Sequence, residues 1–76
     1  MREEGFMVVK ERLKGLRKTI GLTQKQLGEK AGIPHNTISR IELGETEDTS
    51  TRTLTAIARA LNVSADYLLG LKDEPE

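Results

Sequence analysis

Four polar side chains in one short stretch have the types and the spacing needed to hydrogen-bond to the edges of DNA base pairs. In a helix of 3.6 residues per turn they point away from the apolar positions 38 and 41, and they are His35, Asn36, Ser39 and Arg40. The Arg40 guanidinium fits the O6 and N7 acceptors of guanine, and the Asn36 amide fits N6 and N7 of adenine. These residues predict a base-reading face, and an ordinary solvated helix face is the alternative interpretation.

The residues around this face predict two short helices joined by a tight turn, together spanning 24–43. Thr23 is a candidate cap for the first of these helices, with Gln26 completing a capping box. Gly32 can end that helix, because glycine adopts the left-handed conformation without steric cost. Pro34 precedes the second helix, where proline fits but supplies no capping oxygen. A helix held across such a turn is suited to insertion into a DNA major groove.

Apolar residues at helical spacing predict three further helices, and no stretch shows the alternation of a strand. The first helix is expected over 8–20, with an apolar stripe made of Val9, Leu13, Leu16 and Ile20. A fourth helix is expected to begin at Ser50 or Thr51 and to end at Asn62. A short fifth helix is expected to be capped by Ser64, to include Leu69 and to be ended by Gly70.

These elements predict an all-α fold made of one small domain. Seventy-six residues suit a single domain, whose core must be aliphatic because only 3% of the residues are aromatic. The domain is expected over 10–70, preceded by a flexible leader over 1–9 and followed by a charged tail over 71–76.

The chain resembles the phage-repressor and Cro-like (Xre) family of helix-turn-helix DNA-binding proteins over most of its length. The likeness lies in TQKQLGEKAGIPHNTISRIEL, with RLKGLRKTIGLTQ upstream and TLTAIARALNVSADYLLG downstream. It implies a five-helix, lambda-repressor-like domain that binds double-stranded DNA, in a small repressor-like regulator of transcription. It also implies that the first, second and sixth residues of the third helix meet bases, and these are His35, Asn36 and Arg40.

Three residues are candidates for contacts to the DNA backbone. Gln24 matches the glutamine that begins the second helix in the resembling family and there contacts phosphate, although glutamine is also an ordinary helix former. Thr37 and Lys25 are weaker candidates, the lysine on its charge alone. Many family members have a basic loop after the third helix, whereas this chain carries three carboxylates over 45–48, so we expect this loop to repel phosphate.

Arg17 and Glu42 occupy positions where the helical spacing favours apolar residues, four after Leu13 and four after Ile38. Two interpretations stay open at this point. Either both are boundary residues whose charged ends reach water, or they form a partly buried ion pair between the first and third helices. The resemblance favours the ion pair, because an arginine and a glutamate at these positions commonly pair in the family.

The net charge is zero, but the two signs are distributed unevenly along the chain. Residues 10–40 carry eight lysines and arginines against two glutamates, whereas residues 41–76 carry three basic side chains against eight acidic ones. Because the basic part contains the candidate reading face, we expect it to face the phosphates.

The composition argues against several other classes of function. With one histidine, no cysteine, no glycine-rich phosphate loop and no cluster at metal-ligand spacing, we expect no catalysis, metal, cofactor or small-molecule ligand. No apolar run approaches the roughly 18 residues of a membrane span, and we expect no signal peptide. We therefore expect a cytoplasmic protein, and the resemblance implies a bacterial, archaeal or phage-encoded one.

A homodimer on a twofold DNA site is expected, because one reading helix covers only about four or five base pairs. The resemblance places the dimer contact at the C-terminal end, where the candidates are Tyr67, Leu68 and Leu71. Alternatively, these side chains cover the small core. The rival function is a protein-interaction module of the antitoxin-like or anti-repressor kind with the same fold. Salt separates the two functions, since DNA binding weakens steeply as ionic strength rises.

Overall fold

The structure is a computed structural model that describes residues 8–45 and 50–75. Within these ranges the chain forms five α-helices and no strand. The helices are α1 (Lys10–Ile20), α2 (Gln24–Ala31), α3 (His35–Leu43), α4 (Thr51–Leu61) and α5 (Ala65–Leu68). The predicted all-α class and the order of its five helices are confirmed over this part of the chain.

The ends of the helices follow the chemistry of individual side chains. At the start of α2, Thr23 Oγ1 accepts from the Gln26 backbone N–H at 3.0 Å, and Gln26 Oε1 accepts from the Thr23 N–H at 2.9 Å. Ser50, not Thr51, caps α4, because its Oγ accepts the N–H three residues later at 3.2 Å. Asn62 ends α4 in the left-handed conformation, with a φ of 59°. The predicted capping residues of α2 and α4 are confirmed.

Two predicted helix boundaries differ in the structure. The first helix begins at Lys10, because Val9 is extended and donates its N–H to the Leu68 carbonyl at 2.8 Å. The fifth helix ends at Leu68, with Leu69 as its C-terminal cap and Gly70 following at a φ of 80°. The backbone hydrogen bond from Val9 to Leu68 therefore joins the start of α1 to the end of α5.

The core is aliphatic and draws on every helix. Among the described residues, ten buried apolar side chains form it, and they are Leu13, Leu27, Ile38, Ile41, Leu54, Ile57, Ala58, Ala60, Leu61 and Leu68. Each fully buried Leu or Ile contributes about 1.5–3 kcal/mol relative to its exposure in water. Helix α3, which carries the candidate reading face, packs against both α1 and α2. The interior therefore fixes the direction of α3 from two sides.

The apolar stripe expected on α1 is only partly interior. Leu13 is buried and Leu16 packs partly against the core, but Ile20 is 45% exposed. Arg17 is the last α1 side chain that the interior encloses. The expectation that Ile20 belongs to this stripe is therefore wrong, because the final turn of α1 extends beyond the core.

Both ends of the described chain contact the domain. The Ser64 N–H donates to the Pro75 carbonyl at 2.7 Å, so residues 71–75 of the predicted tail fold back on the helices. Val8 packs against the core at the other end. The rest of the predicted leader, 1–7, lies outside the described residues.

Candidate nucleic-acid interface

The turn between α2 and α3 depends on two glycines. Gly32 ends α2 in the left-handed conformation, with a φ of 74°, and the Ile33 N–H donates to the Gly28 carbonyl at 2.8 Å. A Cβ added to Gly28 would lie 2.5 Å from the Ile33 carbonyl oxygen and 3.2 Å from the His35 backbone nitrogen. Because both neighbours are backbone atoms, a larger residue at 28 forces the turn to move. Gly28 thus lets the start of α3 pack directly on α2.

Gly28 was missing from the sequence-based predictions, although a signal was present. Glycine inside a helix costs about 1 kcal/mol relative to alanine, so a glycine in the middle of a regular helical pattern needs a packing reason. The close approach of the turn supplies that reason here.

The candidate base-reading side chains lie along one side of α3. His35, Asn36 and Arg40 are exposed, whereas Ser39 is half-buried. The opposite side of the helix is closed by the buried Ile38 and by Ile41, also in the core. Pro34 precedes the helix at a φ of −59° and makes no side-chain capping bond, as its type predicts. The structure therefore presents four polar side chains together, with Ser39 the least accessible of them.

Arg17 and Glu42 form the ion pair that the resemblance favoured. Arg17 Nε lies 2.6 Å from Glu42 Oε2, and Arg17 Nη2 donates to Glu42 Oε1 at 2.9 Å. Each residue is only 8% exposed. Arg17 Nη1 also donates to the Leu22 carbonyl at 2.8 Å, just before the cap of α2. One guanidinium thus ties α1 to α3 and to the link before α2.

The pair shifts the pKa of both groups towards the charged forms. Burial by itself raises the pKa of the Glu42 carboxyl, but the hydrogen bonds from Arg17 and Gln24 outweigh it and bring this pKa below its ordinary value. The hydrogen bond to Glu42 raises the pKa of Arg17 despite the opposing effect of burial. Both groups are therefore charged at neutral pH, and the pair persists.

The three candidates for phosphate contact differ in how they are held. Gln24 is half-buried, and its Nε2 donates to Glu42 Oε1 at 3.1 Å. Lys25 is exposed, whereas Thr37 is half-buried. Gln24 is thus an oriented side chain, and its proposed contact with phosphate stays a prediction.

Arg12 has a structural role that the sequence did not suggest. Its Nη1 donates to the carbonyls of Tyr67, at 2.8 Å, and Lys72, at 2.5 Å. Its guanidinium carbon also lies 4.3 Å from the centre of the Tyr67 ring, a cation–π contact. In the sequence, Arg12 was one of the eight basic residues over 10–40. That charge pattern gave no indication of its contacts with the end of α5 and the segment that follows.

The three predicted dimer residues lie in different environments. Leu68 is 0% exposed and belongs to the core of this chain, so its assignment to a dimer surface is wrong. Tyr67 is half-buried beneath Arg12, and Leu71 is 72% exposed. Of these three residues, Tyr67 and Leu71 keep surface that a second copy could contact.

The described residues include neither a cluster suited to a metal ion nor a helix suited to a membrane. No group of three or more His, Asp and Glu side chains in that part of the chain is placed to hold a metal ion. Across the same residues, no helix has the length and apolar character required to cross a membrane.

Helix α3 presents polar side chains and is joined to α2 by a glycine turn, and three further helices complete the domain. This arrangement defines a repressor-type helix-turn-helix domain. The comparison with known families agrees, because the model of the helix-turn-helix family matches residues 13–68. This chain belongs to the helix-turn-helix family. The resemblance to phage repressors and Cro-like proteins is confirmed.

Relatives and solved structures agree with this assignment. The transcriptional regulator ImmR of Bacillus subtilis is 44% identical over 68 residues, covering 90% of this chain and 52% of ImmR. YobD, an uncharacterised regulator of the same organism, is 41% identical over 66 residues, covering 87% of this chain and 58% of YobD. The chain therefore spans little more than half the length of these curated relatives. The crystal structure of the P22 c2 repressor with a synthetic operator matches with a TM-score of 0.78 and 35% identity, covering 86% of this chain and 97% of that one.

Proposed function

We propose that this domain binds double-stranded DNA in a sequence-specific manner and acts as a small, repressor-like regulator of transcription. The observation that carries the proposal is the exposed row of His35, Asn36 and Arg40 on α3. That helix is held in a fixed direction by a buried ion pair behind it. Base readout needs such rigidity, because bidentate hydrogen bonds to base edges tolerate little misplacement.

The chemistry of the face favours nucleic acid over protein as the partner. On this face the Arg40 guanidinium suits guanine, the Asn36 amide suits adenine, and the Ser39 hydroxyl can pair with either base. The exposed Lys25 on α2 supplies positive charge beside this face. The P22 c2 repressor, 35% identical to this chain, is a similar protein whose crystal structure contains a synthetic operator.

A homodimer on a twofold site completes the proposal. A single α3 reads too few base pairs to select one site in a genome, and twofold symmetry doubles the contact. Leu71 and the accessible part of Tyr67 are the surface proposed for the second copy. Such a regulator acts where the chromosome is, in the cytoplasm of a bacterium, an archaeon or a phage-infected cell.

Selection of bound duplexes from a random DNA pool tests the proposal. We expect enrichment of a twofold motif, with binding that weakens steeply as salt rises. A pool that stays unenriched, together with salt-insensitive binding to a protein partner, would instead identify a protein-interaction module on this fold.

A further inference from the structure

The Glu42 carboxylate is the point at which three helices meet through hydrogen bonds. It accepts from Arg17 Nε of α1 at 2.6 Å, from Arg17 Nη2 at 2.9 Å and from Gln24 Nε2 of α2 at 3.1 Å, and it belongs to α3. Glu42 and Arg17 are each only 8% exposed, whereas Gln24 is half-buried. The interior pair therefore reaches the surface through the Gln24 side chain.

The contact with Glu42 determines which end of the Gln24 amide faces inward. An ionised carboxylate only accepts hydrogen bonds, so the NH₂ group must face it and the amide cannot flip. An amide nitrogen carries two N–H donors, and the bond to Glu42 uses one of them. The other remains for a group outside the domain.

We propose that Glu42 is a positioning residue for DNA binding, which aims the second Nε2–H of Gln24 at a backbone phosphate. This inference rests on the proposed function, since it assumes that α3 lies in the groove of a duplex. Arg17 completes the arrangement, because its charge offsets that of Glu42, which would otherwise repel the phosphate. The ion pair is thus part of the DNA-binding apparatus as well as of the fold.

If Glu42 positions Gln24, loss of the ion pair should change the affinity for duplex DNA even in a variant whose fold stays stable. Replacing a buried ion pair by apolar residues of similar volume is often neutral or stabilising, so Arg17→Met with Glu42→Leu is expected to stay folded. That variant keeps Gln24 but lacks the acceptor that orients it. Because phosphates are alike in every sequence, a short mixed-sequence duplex at low salt is a sufficient probe.

A double-mutant cycle on duplex affinity supplies the measurement. In the original chain, Gln24→Met should weaken binding about tenfold, the loss of one hydrogen bond to a charged group. In the Arg17→Met, Glu42→Leu background the same change should cost less than about twofold. Lys25→Met is the matched control, because a solvated charge beside Gln24 should contribute the same factor in both backgrounds.

Each result of the cycle is decisive. Equal losses from Gln24→Met in both backgrounds, or no loss in either, overturn the positioning role and leave the proposed function standing. A domain that binds no duplex at all overturns the proposed function, and this inference with it.

A second measurement needs no variant and covers the case in which the pair replacement fails to fold. The two Nε2 protons of Gln24 have separate NMR signals, and the proton bonded to Glu42 should keep its shift when the duplex is added. The other proton should move. If neither signal moves in a sample that binds DNA, Gln24 contacts no phosphate and the inference is wrong.

Discussion

Two arginines of α1 tie this helix to distant parts of the chain in different ways. Arg17 faces the interior and pairs with a carboxylate that is as enclosed as itself. Arg12 is half-buried and donates to main-chain carbonyls, and its ion pair, to the fully exposed Asp73 at 3.9 Å, is weak. Arg17 therefore supports α3 and its proposed reading face, while Arg12 supports α5 and the segment after it.

The difference indicates which region is held rigidly. A buried pair whose hydrogen bonds are satisfied has no solvated alternative, so its breakage is costly and cooperative with the fold. Surface contacts to carbonyls compete with water and can open separately from the rest of the domain. The reading face thus has the more rigid support, and the C-terminal segment has the more adjustable one.

The largest effect on the free energy of unfolding is expected at the Arg17–Glu42 pair. Glu42→Ala removes the partner of a buried guanidinium and should reduce the free energy of unfolding by about 3–5 kcal/mol. Glu45→Ala, which changes an exposed carboxylate three residues later, is the control and should change it very little. Urea unfolding of both variants measures the difference, and equal midpoints would contradict the structural role of the pair.

A smaller effect is expected at Arg12. Arg12→Ala should lower the free energy of unfolding by about 1–3 kcal/mol, because hydrogen bonds from a charged donor are lost. Arg12→Lys should restore little of it, since an ammonium lacks the planar fork. Lys18→Ala on the same helix is the control. Amide exchange should show the loss at α5 and residues 70–75 first, and uniform loosening of the domain would show that the two regions are not independent.

The C-terminal surface is expected to affect assembly more than folding. Leu71→Glu should give a folded protein whose dimer dissociates at an about tenfold higher concentration than that of the original chain, because a charge at an apolar contact is unfavourable. Combination with Tyr67→Glu should give a monomer with greatly weakened operator binding. Ile20→Glu, another exposed apolar side chain, is the control. Sedimentation that shows an unchanged dimer in the combined variant places the interface elsewhere.

The smallest expected effect is a loss of folding stability at acid pH that comes from Glu42. The pKa of Glu42 is lower in the folded chain than its ordinary value, so its contribution to stability is complete above that ordinary value and is lost as pH falls through the folded pKa. The raised pKa of Arg17 acts only at strongly alkaline pH. Unfolding followed from neutral to acid pH should therefore be less pH-sensitive in the Arg17→Met, Glu42→Leu variant. Parallel curves for the two proteins would contradict the assigned shift.

The contrast between the arginines also explains what could be predicted from the sequence. Arg17 and Glu42 interrupt apolar stripes at helical spacing, and this pattern is visible in the chain itself. The carbonyl partners of Arg12 carry no such signal, because every residue has the same carbonyl group. Helix caps such as Thr23 were predictable because they act within three residues.

Burial near the ends of elements was harder to predict for a related reason. Periodicity tells which side of a helix faces inward, but not how far the core extends along it. Ile20 was therefore placed too deep, and Leu68 was assigned to the surface although it closes the core. The outward placement of His35, Asn36 and Arg40 required only the direction of one short helix, and these side chains are exposed in the structure, whereas their contact with bases stays a prediction.

We propose that Arg40 reads a base while the rigid support behind α3 keeps this side chain in register. Competition binding against single-base variants of the selected site tests this most directly. Arg40→Ala should lose about 1–3 kcal/mol at the preferred site and relax the preference at one position in each half-site. Gln24→Ala, the matched control, should weaken binding to all sequences about equally, because phosphates are alike at every step. If Arg40→Ala keeps full discrimination at every position, α3 does not read bases through Arg40 and the account is contradicted.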